Sequence, residues 1–353
     1  MNTTIHNTPL VHRFVSPESA GRRYALGRNA HAKNLSNAIQ LDGFIDDFAE
    51  TGTHWQNKPV VKMPDVPSDA IIINCVMAIS PVTAVRNLTR CGLNRVLAYS
   101  DLCRTFPDRF PIPQFVEQTR HDYAQNKHKW DALSSNLADG KSETVLNDVL
   151  QYRLSGDLAS MQSYAVRIKD QYFEPFLQLG NDEVFVDCGG FDGDTTEEFC
   201  KRYPQYEKIY LFEPLPENMR AAQWRLRDKT SLHFVQQGVS DKTELLTLQA
   251  SGSASSISDH GTQQIEVTTI DEYISDRVTF IKMDLEGWES RAIQGCKHHI
   301  LQDHPKLAIA VYHHPADFWR LPESVLNLRH DYDIYIRHYT EGWSETVMFF
   351  VPQ

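Results

Sequence analysis

Val184-Phe185-Val186-Asp187-Cys188-Gly189-Gly190-Phe191-Asp192-Gly193-Asp194 is the stretch that decides the fold. An apolar run ends in an acid, and three glycines then turn the chain into a polar, helix-compatible segment. It is answered by Tyr210-Leu211-Phe212-Glu213-Pro214. This second run reads as the next parallel strand, closing on a carboxylate about 20 residues past the last glycine. The order strand, glycine turn, helix, strand, carboxylate builds a cleft for a ribose-bearing cofactor at the carboxyl edge of a parallel sheet.

Downstream the pattern keeps alternating, as in a doubly wound α/β sheet. Strands are expected at 184–187, 208–213, 232–236, 278–284 and 307–312, with helices near 194, 217–228 and 286–300. A serine-rich insertion at 245–264 reads as a hairpin with its tip at 251–256. The runs 333–337 and 346–351 are joined by so short a polar link that they must pair antiparallel. A plain dinucleotide fold would continue through parallel units instead.

Upstream, Ala70 to Ile79 is a continuous apolar strand of the parallel type. Ser80-Pro81 opens a helix, Gly92 closes it, and 95–99 supplies a second strand, making a small βαβ unit. No glycine-rich turn follows that first strand, so the unit is expected to pack or to shape a substrate rather than cradle a phosphate. Residues 131–179 turn helical, with Val145, Leu146, Val149 and Leu150 on one face. Tyr172, Phe173 and Phe176 follow as core or lid residues, with Tyr172 able to lie over a ligand. The expected organisation is an arm at 1–65 with short helices near 30–37 and 44–50, a small α/β and helical subdomain at 66–165, and the cofactor domain at 166–353.

Composition narrows the partners. Among 353 residues, 35 Lys+Arg against 46 Asp+Glu leave a net charge of −11, with no basic run, which argues against nucleic acid. Six cysteines (Cys75, Cys91, Cys103, Cys188, Cys200, Cys296) show no Cys-x-x-Cys spacing and suit a reduced cytoplasm. Residues 1–8 lack the build of a secretory leader, and no apolar run reaches the length of a membrane span. A homo-oligomer is compatible with all of this.

The acids of the first turn separate the candidate cofactors. Dinucleotides want Gly-x-Gly-x-x-Gly, whereas here the turn reads Asp187-x-Gly189-Gly190-x-x-Gly193, with Asp194 opening the helix. Carboxylates at that point repel a pyrophosphate and suit a ligand with an ammonium group, a sulfonium and a ribose. S-adenosylmethionine has all three. Glu213 would accept from both ribose hydroxyls, and Pro214 carries the chain onward in extended form. Val239 and Ser240 lie where the adenine would sit, or form an ordinary loop. At the fourth strand end, Asp284 reads as facing the methyl group or the acceptor, or as a helix cap, with Glu286 beside it. At the fifth, His313 is a candidate general base. Its neighbour His314 should point the other way, so the two are not expected to share an ion, and no metal is assigned.

The runs Val186 to Thr195, Phe212-Glu213-Pro214 with Asn218, and Ile281-Lys282-Met283-Asp284-Leu285-Glu286-Gly287-x-Glu289 resemble the FkbM family of S-adenosylmethionine-dependent methyltransferases. The likeness covers about half the chain, from Gln171 onward, and 70–179 resembles the N-terminal extension of bacterial members less distinctively. It implies a Rossmann-like methyltransferase sheet with a C-terminal antiparallel hairpin, beside a smaller N-terminal α/β subdomain. It also implies S-adenosylmethionine as cofactor, held by the turn through Thr195, and O-methylation of a sugar, surface glycan or secondary metabolite. Gly190 stands where alanine is frequent, and Trp288 where a small residue is usual. Trp288 either narrows the acceptor cleft or offers a platform to a sugar face. An NAD-dependent oxidoreductase and a non-catalytic glycan-binding or scaffold protein are the alternatives.

Overall fold

A computed structural model describes residues 8–17, 21–249, 256–257 and 263–353. By its internal contacts the chain divides into two units. One comprises Met1–Gln125, Asn147–Val166 and Tyr339–Ser344; the other comprises Asn126–Leu146, Arg167–His338 and Glu345–Gln353.

The first unit is built on β1 (Arg23–Leu26), β2 (Gly43–Ile45), β3 (His54–Trp55), β4 (Lys58–Val61), β5 (Ile71–Asn74) and β6 (Val96–Ala98). Their order is β3-β4-β2-β1-β5-β6, with β4, β2, β1, β5 and β6 mutually parallel and β3 antiparallel on the edge. The segment read as an arm therefore supplies four of the six strands. The helix near 30–37 is present as Ala30–Ala38, but 43–45 is strand where a helix was expected. Strands of three or four residues are too short to show a period, which is why composition suggested an arm. The first strand of the unit is thus β1, and Gly27 (φ 96) follows it. Asn29 caps the next helix by accepting from Ala32 N, and its amide donates to Cys75 O (2.7 Å) after β5.

The second unit carries β7 (Val184–Cys188), β8 (Lys208–Phe212), β9 (Leu232–Val235), β10 (Gly238–Val239), β11 (Glu244–Gln249), β12 (Ser256–Ile257), β13 (Gln263–Thr268), β14 (Phe280–Met283), β15 (Lys306–Ala310), β16 (Tyr332–His338) and β17 (Thr346–Pro352). Seven of them form one sheet in the order β16-β17-β15-β14-β7-β8-β9. Strands β9, β8, β7, β14 and β15 run parallel, and β17 pairs antiparallel with both β15 and β16, as the short link requires. The chain leaves β7 outward through β8 to β9, then returns to β14 on the other flank. The carboxyl ends of β7 and β14 therefore flank the switch point, where such sheets take their ligands.

The central strands are buried but for the lysines that open β8 and β15, and only Asp187 and Lys282 interrupt their apolar runs. Under β7, Phe185 stacks on Phe199 (4.4 Å) and on Phe280 (5.0 Å), three fully buried rings each worth about 2–3 kcal/mol of burial. The insertion forms a small sheet, β10-β13-β11-β12, in which β11 and β13 are antiparallel. Residues 251–255 of the expected hairpin tip lie outside the described residues. Five cysteines are buried and Cys91 is exposed, all of them free thiols. Among the described residues no helix is long and apolar enough to cross a membrane.

Candidate active site

β7 ends in a buried ion pair. Asp187 is fully buried, its Oδ2 accepts from Thr196 Oγ1 (2.7 Å), and Lys282 Nζ stands 3.0 Å from its Oδ1. Burial alone would lower the lysine pKa, but Asp187 and Asp284 outweigh it and raise it. Lys282 also donates to Gly189 O (2.7 Å), tying β14 to the turn. The charge of Asp187 is thus answered within the chain. The electrostatic case against a pyrophosphate falls to exposed Asp194, whose Oδ1 accepts from Thr195 N (2.6 Å).

Two of the turn's glycines are dictated by close packing. Gly189 has φ 81, and a Cβ there would strike the Asp284 carbonyl oxygen. A Cβ on Gly190 would run into the Leu211 side chain of β8. Gly193, also left-handed at φ 83, caps the helix Asp194–Arg202.

β8 delivers Glu213 to the same rim, 6% exposed. Its Oε1 accepts from Leu215 N (2.9 Å) and Asn218 Nδ2 (3.2 Å), and its Oε2 from Phe191 N (3.1 Å). Burial raises its pKa against those three hydrogen bonds. Own-chain donors therefore take part of the capacity that was expected to go to a ribose, and Oε2, with a single donor, has the lone pair to spare. A Cβ built on Gly238 would lie 3.8 Å from the Pro214 side chain, so β10 runs alongside. Val239 and Ser240 are both buried, and Ser240 Oγ donates to Asp241 Oδ1 (3.1 Å).

At the end of β14 four carboxylates gather round one imidazole. Tyr172, held at φ 73, donates to Asp284 Oδ2 (2.7 Å), and Tyr312 donates to Oδ1 (3.4 Å). His313 Nε2 lies 3.4 Å from Asp284 Oδ1 and 3.5 Å from Glu286 Oε2, while Nδ1 lies 3.1 Å from Glu289 Oε1. Fully buried Glu289 also accepts from Leu285 N (2.7 Å), so it shapes the loop that presents Glu286 (φ 52) and Gly287 (φ 96). Gln171 bridges Tyr172 Oη and Glu345 Oε2, both at 2.9 Å.

Burial would lower the His313 pKa, but Glu289, Asp284 and Glu286 overcome it and lift it to about 10. Surrounded this way, the ring favours its protonated form more than a free imidazole does. Burial first, then Asp284, Glu289 and Glu345, push Glu286 up to about 7 against the pull of His313. His314 points elsewhere, as expected of an adjacent residue, and its Nδ1 sits 3.2 Å from Asp317 Oδ2. Trp288 is half-buried with Arg291 4.5 Å over its ring, so that face already has a cation on it.

The structure thus brings Asp187, Gly189, Gly190, Glu213, Asp284, Glu286 and His313 to one edge of the sheet. The sequence marks Glu289 only as the residue that closes the Lys-x-Asp-x-Glu-Gly-x-Glu run, with no role of its own. Sequence reasoning passed over Tyr312 and Glu345, and nothing local in the sequence marks Glu345. The ligand atoms of Asp284, Glu289 and His313 lie within 4.8 Å of one another, a spacing a metal ion could use.

The sheet order and the acidic rim at its switch point define a Rossmann-like methyltransferase. The family described as Methyltransferase FkbM domain matches residues 187–339. The crystal structure of methyltransferase FkbM from Methylobacillus flagellatus KT is similar with a TM-score of 0.74 at 23% identity, over 98% of this chain and 93% of that one. At that identity the likeness establishes the fold. Aeropyrum pernix fibrillarin, solved with natively bound S-adenosyl-L-methionine, overlaps 52% of this chain and 71% of its own at 14% identity (TM-score 0.35). An rRNA methylase from Streptococcus thermophilus overlaps 49% and 89% at 16% identity (TM-score 0.34). No curated protein matches the chain.

Proposed function

We propose that the protein transfers the methyl group of S-adenosylmethionine to a hydroxyl of a sugar, surface glycan or secondary metabolite. The observation that carries this reading is the rim itself: a buried ribose-type carboxylate, Glu213, on β8, and an acidic cluster opening from β14. The turn Gly189–Gly193 with Asp187, Asp194 and Thr195 forms the cofactor side, and Pro214, Val239 and Ser240 line its adenosine end. In the reaction the acceptor oxygen attacks the methyl carbon in line, the carbon–sulfur bond breaks, and its electron pair stays on sulfur as a thioether. The hydroxyl proton passes to a carboxylate. Glu286, with a third of its side chain exposed, is the more open to an incoming acceptor, whereas Asp284 also accepts from two phenols. Alignment supplies rate through effective concentration, and a positioned base adds about 10²–10⁴-fold.

The test is methyl transfer from labelled S-adenosylmethionine to a panel of glycan and small hydroxyl acceptors. Labelled product from at least one acceptor, lost on Glu286→Gln with S-adenosylhomocysteine binding intact, is the expected result. Label arriving only on amines or on nucleic acid would overturn the acceptor class.

A further inference from the structure

We propose that Asp284, Glu289 and His313 together bind one divalent cation beside the acceptor, an inference that rests on the methyltransferase reading of this rim. Three independent features carry it.

The first is geometry. Two carboxylates and an imidazole offer ligand atoms within 4.8 Å of one another. Ligands about 2.1 Å from a shared octahedral ion stand ~3 Å apart when adjacent. An ion takes only one ring nitrogen: Nδ1 stands 3.1 Å from Glu289 Oε1 while Nε2, on another edge of the ring, stands 3.4 Å from Asp284 Oδ1, so closing on the ion asks one carboxylate to shift.

The second is unmet bonding capacity inside the protein. The His313 side chain is 8% exposed, yet neither ring nitrogen makes a directed hydrogen bond, since its carboxylate contacts are close but badly angled. Glu289 is 0% exposed, and its Oε2 has no hydrogen-bond partner at all. A buried polar atom left without a partner is costly, so two such side chains in one cluster call for something to bind.

The third is charge. Asp284, Glu286, Glu289 and Glu345 act on one another and on a single imidazole. The nearest ammonium, Lys282, is committed to Asp187 across the β7–β14 seam. Even a protonated His313 leaves the cluster with excess negative charge in a site largely screened from water. A sulfonium would supply one positive charge but no coordination bond to nitrogen. A divalent ion supplies both.

Mixed carboxylate and imidazole ligation suits Mn²⁺ or Zn²⁺ better than Ca²⁺. Bound there, the ion would act as a Lewis acid on the acceptor hydroxyl oxygen and make its proton easier to remove. Its proton still goes to Glu286, and the methyl transfer is otherwise unchanged.

The experiment titrates the chelator-stripped full chain with MnCl₂, counting free ion by electron paramagnetic resonance. One saturable site per chain is expected, weakened at least ~10-fold by Glu289→Gln and by His313→Gln, with surface Glu197→Gln binding like the native chain. Far-UV circular dichroism checks that each variant folds, and if Glu289→Gln does not, His313→Gln carries the comparison. No saturable site in the native chain, or equal binding by a folded His313→Gln, would overturn the proposal. S-adenosylhomocysteine binding is measured in parallel. If it persists without Mn²⁺ binding, the ion alone is refuted; Mn²⁺ binding without it upholds the ion and refutes the methyltransferase reading.

Discussion

Lys282 and Asp187 face each other across the seam between β14 and β7, 3.0 Å apart, with 4% and 0% of their side chains exposed. This pair closes the sheet at its switch point, because Lys282 also donates to the carbonyl of Gly189. Removing one partner strands the other charge in the core, and the expected cost is about 3–5 kcal/mol. Lys282→Met should therefore lower the denaturation midpoint sharply. The double variant Lys282→Met/Asp187→Asn should recover part of that loss, which a double-mutant cycle in urea measures. Additive losses would deny the coupling.

Gly189 has no room for a side chain, because its Cβ would occupy the place of the Asp284 carbonyl oxygen. Gly189→Ala is expected to shift β14's end or to unfold the turn. The readout is S-adenosylhomocysteine affinity by calorimetry, with a loss of at least ~10-fold expected from a displacement of this kind. Unchanged affinity would mean that the turn and Asp284 do not need their close approach.

Tyr172 reaches the cluster from a left-handed backbone and gives its hydroxyl proton to Asp284 Oδ2 at 2.7 Å. Tyr172→Phe removes one charge-assisted hydrogen bond, worth about 1.5–3 kcal/mol. A fall in kcat with cofactor affinity preserved is expected from steady-state kinetics, since the bond orients Asp284 and not the ribose end. A loss confined to cofactor affinity would place Tyr172 over the cofactor instead.

Asp139 and Arg337 form an ion pair at 2.7 Å, with Ser142 Oγ also donating to Asp139 Oδ1. Burial would raise the carboxyl pKa, but Arg337 and Ser142 bring it down from 3.8 to about 2. A depressed folded-state pKa adds stability that is complete above the unfolded value and vanishes as pH falls through the folded one. With the carboxylate 35% exposed, solvent screening holds its share to about 1 kcal/mol. Asp139→Asn should thus destabilise by that amount at pH 7 and by only a small part of it at pH 2, as thermal melts at both values would record. An equal deficit at both would show that charge is not the cause.

What was legible in the sequence follows from what each feature needs. β7, β14 and β15 are buried and apolar apart from Asp187, Lys282 and the opening Lys306, and runs of that kind read as parallel strands. The β16–β17 pairing followed from the shortness of the link. β1 and β2 escaped notice because four and three residues carry no period, although all seven are buried. In the site, Glu213 and Asp284 were readable because a strand end fixes where a side chain emerges. The surroundings of His313 were not legible, for a different reason. Its environment is made by Glu286 and Glu289 from one loop and Asp284 from a strand end, and a lone histidine in a sequence shows none of that. Asp187 likewise looked like a free acid until the fold put Lys282 against it.

Calorimetric titration of the chain with S-adenosylhomocysteine beside NAD tests the central claim most directly. The account predicts saturable one-to-one binding of S-adenosylhomocysteine, loss of that binding in Glu213→Ala, and no heat from NAD. Saturable binding of NAD with none of S-adenosylhomocysteine would contradict it.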